Sequence, residues 1–73
     1  MAGKLPAVKS KKAIKALERG GFVVHHVTGS HYIMKKEKLR VTVPYHSKDL
    51  KPGTLKSIIS EAGLTVEEFL DLL

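Results

Sequence analysis

The spacing of apolar positions changes character twice along this chain. Between Ser10 and Arg19 they follow a helical period: Ala13, Ile14 and Leu17 stand at i, i+1 and i+4, while Lys11, Lys12, Lys15 and Arg19 fall largely elsewhere. Ser10 reads as the cap of this helix, its hydroxyl accepting a backbone N–H two or three residues on. Gly20-Gly21 ends the helix, because glycine accepts the left-handed conformation at a helix C-terminus. The pattern then turns to β-branched and aromatic runs, at residues 22–27, 31–35 and 39–43, parted by short turns at 28–30 and 36–38. Leu39, Val41 and Val43 share one face of the third strand, and Arg40 and Thr42 the other. Pro44, with no N–H for a ladder, closes it. Connections of hairpin length predict an antiparallel meander.

After a loop at 44–51 the helical period returns. Pro52 suits a first turn, where its missing N–H costs nothing. Leu55, Ile58, Ile59 and Ala62 stand at i, i+3, i+4 and i+7 before Gly63 stops the run. Thr65-Val-Glu-Glu68 is a capping box, and Val66, Phe69, Leu70 and Leu73 form the apolar stripe of a last short helix. The predicted order is α-β-β-β-α-α: an α+β domain spanning residues 1–73, with two helices over one face of a three-stranded antiparallel sheet.

Composition narrows what such a domain can do. The chain has 73 residues and no cysteine, which removes disulfides, thiolate metal sites and a cysteine nucleophile together. No apolar run approaches the ~18 residues of a membrane span, and residues 1–6 show no apolar stretch of a secretory signal. A cytoplasmic protein is expected. The net charge of +6 is unevenly placed, with six bases and one acid in residues 1–19, five and two in 20–50, and two and four in 51–73. A basic front and an acidic tail suit a polyanion-binding face with a quiet back.

The candidate chemistry lies with four histidines, His25, His26, His31 and His46. Neighbours in a strand point to opposite faces, so His25 and His26 are not expected to hold one metal ion together. His31 follows Gly29-Ser30 at the mouth of a strand, where glycine leaves room for close approach. Histidine's ordinary pKa of ~6.5 lets it take and return a proton near neutrality. Lys35, Lys36, Lys38 and Arg40 are close to it in sequence and are expected near it in space. Strict alternation groups His31 with Ile33 and Lys35, and Tyr32 with Met34. Both groups mix polar and apolar character, so the pattern leaves open which face is buried. His46, just ahead of the second helix and flanked by Lys48 and Lys51, marks a candidate phosphate site at a helix N-terminus. Tyr32 and Tyr45 are candidate platforms for base stacking.

Taken together, Gly21-Phe22, the Gly29-Ser30-His31 turn, Val41-Thr-Val-Pro-Tyr-His46 and Leu50-Lys-Pro-Gly-Thr-Leu-Lys-Ser-Ile-Ile-Ser-Glu-Ala-Gly-Leu64 resemble the HicA toxin family, also called YcfA-like. The resemblance covers nearly the whole chain. It implies a double-stranded-RNA-binding-domain-like fold and a metal-independent RNA endonuclease that cleaves mRNA as the toxin of a type II toxin–antitoxin pair. It also implies a HicB-family antitoxin as the silencing partner, the toxin being a monomer alone and part of a hetero-oligomer when bound. His31 matches the family's catalytic histidine, and His46 the histidine after the third strand. Two departures stand out. Lys48-Asp-Leu-Lys-Pro52 is sparser than the lysine cluster of true duplex-binding domains, which favours a single-stranded substrate. His26 stands where members often carry arginine.

On this reading His31 is the base that deprotonates a ribose 2′-hydroxyl, with no metal or other cofactor. Lys35 or Arg40 and backbone N–H groups near the turn hold the phosphate being cut, Gly29, Ser30, Lys35, Arg40, His46, Lys48 and Lys51 contact the RNA, and His46 or water protonates the leaving group. Two other readings remain open: a non-catalytic RNA-binding module using the same basic face, and a protein-interaction domain whose lysines meet an acidic partner.

Overall fold

A computed structural model describes residues 5–73. The elements are α1 (Ser10–Arg19), β1 (Val23–Thr28), β2 (His31–Lys36), β3 (Leu39–Pro44), α2 (Pro52–Glu61) and α3 (Val66–Leu72). The three strands form an antiparallel sheet in the order β1-β2-β3. The order and fold class agree with the expectation from the periodicity. Part of the 1–6 stretch, residues 1–4, lies outside the described residues.

The helices sit as their apolar stripes require. Ala13, Ile14, Ala16 and Leu17 of α1, and Leu55, Ile58 and Ile59 of α2, are buried. They meet Met34, Val41 and Val43, which are fully buried on one sheet face. Both helices pack on β3, and α3 lies against α1 and α2 rather than on the sheet. From α3, Phe69 enters the core with no exposed surface. Leu73, expected on the apolar stripe, is exposed, and Leu72 packs against the core in its place. Among the described residues no helix is long and apolar enough to cross a membrane.

Three local expectations change. The first strand begins at Val23, and Phe22 instead drops into the core at 2% exposure. Ser10 does not cap α1. The N-cap is Lys9, which makes no side-chain cap bond, and Ser10 is fully buried in the first turn. Its hydroxyl donates to the Pro44 carbonyl at 2.6 Å and accepts from the His46 N–H at 3.3 Å. The same amino-acid preference serves a cap or a tertiary tether, and the nearness of the β3 end selects the tether.

The third change is in β1. Its register on β2 runs Val24 to Met34, then His26 to Ile33 and Val27 to Tyr32, with an irregularity at His25. The extra residue resets the alternation, as in a bulge. Val24 and Val27 therefore share the helix-side face, although three residues apart. His26 joins the open face beside Ile33, so simple alternation does not describe how His25 and His26 are placed.

The expected capping box is present, with Thr65 N–H donating to Glu68 Oε1 at 2.8 Å and Glu68 N–H to Thr65 Oγ1 at 3.1 Å.

Candidate nucleic-acid interface

The open face of the sheet carries His31. A two-residue turn, Gly29-Ser30, joins β1 to β2, and its glycine takes φ +48°, the sign that tight hairpin turns need at their first central position. A Cβ placed on Gly29 would meet nothing within 4 Å, so this residue serves the turn's conformation and leaves its backbone uncovered.

His31 is the next residue and the first of β2. It pairs across the sheet with Thr28 on one side and Pro44 on the other. Since Met34 and Val41 define the buried face, this register sets His31 with Ile33 and Lys35 on the open one, and the imidazole is exposed. The register thus decides the face that the alternation left undetermined.

Lys35 and Arg40 are cross-strand partners on the same open face. Lys35 stands four residues farther along β2 than His31, a Cα separation of about 13 Å at the usual strand rise, and Arg40 lies opposite it on β3, so neither cation stands beside His31 as expected. Lys36 is held elsewhere: its Nζ donates to the Gly20 carbonyl at 2.9 Å and lies 6.0 Å from the centre of the Phe22 ring.

The segment after β3 is pinned at the His31 end of the sheet. Tyr45 N–H donates to the Ser30 carbonyl, Ser10 holds Pro44 and His46, and Leu50 N–H donates to the Val8 carbonyl at 2.8 Å. Lys9 and Asp49 face each other in an isolated antiparallel bridge, with their side chains 3.7 Å apart. His46 is exposed within this segment. Together with Pro44, Lys48, Asp49, Lys51 and Thr54 it lines a shallow depression at the start of α2. The structure thereby brings His46, Lys48 and Lys51 together, as expected, with Asp49 tempering their charge. Tyr32 and Tyr45 stack on each other, centroids 4.8 Å apart and planes 28° apart; Tyr32 shares the helix-side face with Met34 and packs against the core, across the sheet from His31.

Sequence reasoning placed a basic front in residues 1–19 but did not bring it beside His46. Lys9 and Lys11 border a second depression together with Tyr45, His46 and Ser47, and Lys9 Nζ donates to the Ser47 carbonyl at 3.1 Å. The signal was present in the concentration of bases in residues 1–19. What the pattern did not carry was the contact between the start of α1 and the end of β3. Among the described residues no group of three His, Asp or Glu side chains is placed to hold a metal ion.

An exposed imidazole beside an uncovered turn, at the end of a sheet bordered by cations, can accept a proton from a bound hydroxyl while its surroundings attract phosphate. No curated protein matches the chain. A family model described as the HicA toxin of bacterial toxin–antitoxin systems matches residues 10–64, which run from the start of α1 to just beyond α2.

Proposed function

Because the chain belongs to the HicA toxin family, and is thereby the toxin of a bacterial toxin–antitoxin system, we propose that it is an RNA endonuclease in which His31 is the catalytic base. The observation that carries this reading is the exposed His31, first on β2 and on the open sheet face beside the uncovered Gly29 turn.

In the proposed reaction His31 removes the proton of the ribose 2′-hydroxyl. The 2′-oxygen forms a bond to phosphorus as the bond to the 5′-oxygen breaks. The departing 5′-oxygen takes a proton from His46 or from water, leaving a 2′,3′-cyclic phosphate and a 5′-hydroxyl. RNA supplies its own nucleophile, so the protein need only position the phosphate, remove one proton and offset developing charge. Gly29 and Ser30 border the scissile phosphate. His46, Lys48 and Lys51 attract the strand on one side. Lys35 and Arg40, about 13 Å from His31 along the strand, serve a neighbouring phosphate rather than the one being cut.

The substrate is mRNA, read single-stranded, and the site of action is the cytoplasm. The antitoxin is a HicB-family protein that covers His31 in a hetero-oligomer, since a free nuclease without a sequence-selective pocket would damage its own cell.

His31→Ala should bind RNA as the parent does and cut it roughly 10²–10⁴-fold more slowly, the usual contribution of a positioned base. A deoxyribose at the cut site should abolish cleavage by the parent. Undiminished cleavage in either experiment, or cleavage that chelator stops, overturns the mechanism. If parent and variant both bind RNA and neither cuts it, the chain is a non-catalytic RNA-binding module.

A further inference from the structure

We propose that the outer face of α1 is a track for the backbone of single-stranded RNA, leading to the His31 end of the sheet. The proposal rests on the RNA reading given for His31 and extends the contact surface to residues outside that site.

The track begins in the helical period. At 3.6 residues per turn, Lys11, Lys12, Lys15 and Arg19 fall within an arc of about 100°. Ala13, Ile14, Ala16 and Leu17 occupy the opposite, buried side. All four cations are exposed, and Lys11, Lys15 and Arg19 form a row with a step of about 6 Å. Glu18 stands at the edge of the arc. Arg19 is anchored, its Nη1 donating to the Leu72 carbonyl at 2.7 Å. Among the described residues the one ion pair is Lys9–Asp49, both side chains more than half exposed, so the stripe is not neutralised from within. Cations crowded at i, i+3 and i+4 repel one another, and a polyanion relieves that repulsion.

The row also leads to the candidate site. Lys9, Lys11, Lys12, Lys15 and Arg19 line one depression together with Leu73. Lys9 and Lys11 then border the next, which they share with Tyr45 and His46. His46 and Pro44 border the third, and Pro44 is the cross-strand partner of His31. The bonds of Ser10 to Pro44 and His46 hold helix and sheet end in register, so the path is set before any ligand arrives.

RNA fits this surface better than an acidic protein does. Protein interfaces are anchored by apolar and aromatic side chains, and Leu73 is the one apolar residue lining the α1 depression. A regular line of exposed cations along one helix matches the evenly spaced charges of a linear polyanion.

The test compares the parent with the triple variant Lys11→Gln, Lys12→Gln, Lys15→Gln, titrated with an uncleavable 2′-O-methyl single-stranded RNA at several salt concentrations. Loss of three phosphate contacts should make the slope of log K against log salt shallower by about 2, so that between 50 and 200 mM salt the parent loses roughly 20-fold more affinity than the variant. An unchanged slope and unchanged affinity overturn the track. A variant that binds RNA like the parent but no longer binds its antitoxin overturns it in favour of an acidic protein partner. If the parent fails to cleave ordinary RNA while the slope difference persists, the track stands and the catalytic reading of His31 falls.

Discussion

Ser10 has no exposed surface, yet its hydroxyl is bonded as donor and as acceptor. Among the described residues no buried side-chain N or O atom is left without a partner. Removing this hydroxyl would strand the His46 N–H and the Pro44 carbonyl, and the cost of such orphaned groups decides the outcome. Ser10→Ala should therefore lower stability by about 1–3 kcal/mol, read from urea unfolding followed by circular dichroism. An unchanged unfolding midpoint would show that the tether contributes nothing. The residue type was legible in the sequence but its duty was not, because a serine ahead of an apolar helical run has the same signature whether it caps that helix or bonds a distant strand. His31 gives the contrasting case. Its place after a Gly-Ser turn marked it as exposed chemistry, and its sheet face followed only from its pairing with Pro44 and Thr28.

The strands show how far a period can be trusted at the scale of elements. β3 alternates as a half-buried strand should, with Val41 and Val43 inside, and the extents of β2 and β3 were readable to within one residue. β1 departs because His25 is an extra residue opposite β2. A period of two cannot bring Val24 and Val27 to one face, and no local feature of Val-Val-His-His-Val announces the slip. The turn after β1 carries its own constraint. Gly29 has open space around its missing side chain and a positive φ, so a substitution there tests backbone strain without steric clash. Gly29→Ala should cost about 1–2 kcal/mol, the penalty of the left-handed region for an L-residue, with Gly29→Asn costing less. Denaturant midpoints of the two variants check the order, and a Gly29→Ala midpoint equal to the parent's would mean that the turn relaxes to another conformation.

For the molecule as a whole, the radius of gyration of 11.2 Å is that of a close-packed chain of this length, roughly 11 Å by the usual scaling. A domain so small has little core to spare. α3 lies beyond the segment matched by the family model, yet it supplies Phe69, one of the largest fully buried side chains. Phe69→Ala should cost roughly 3–5 kcal/mol, a large part of the roughly 5–15 kcal/mol that small domains possess. Its urea midpoint should fall accordingly, or the variant should be unfolded without denaturant. A midpoint close to the parent's would show that α3 is dispensable to the core. Charge belongs to this scale as well: the bases of residues 1–19 and the lysines at 48 and 51 are separated along the chain, and folding brings Lys9 and Lys11 beside His46.

By itself the sequence determined the six elements, their order and the apolar stripes with which α1, α2 and β3 meet in the core. Those are local matters, set by the period of apolar side chains, by glycine and proline at the ends of elements, and by the chemistry of single side chains. Only the tertiary structure decided that Ser10 ties α1 to the end of β3, that β1 is re-phased at His25, that Lys35 and Arg40 stand well away from His31, and that Lys9 and Lys11 come beside His46. Each depends on which atoms meet between different elements. Pairing register and packing settle such meetings, and neither leaves a local trace in the order of residues.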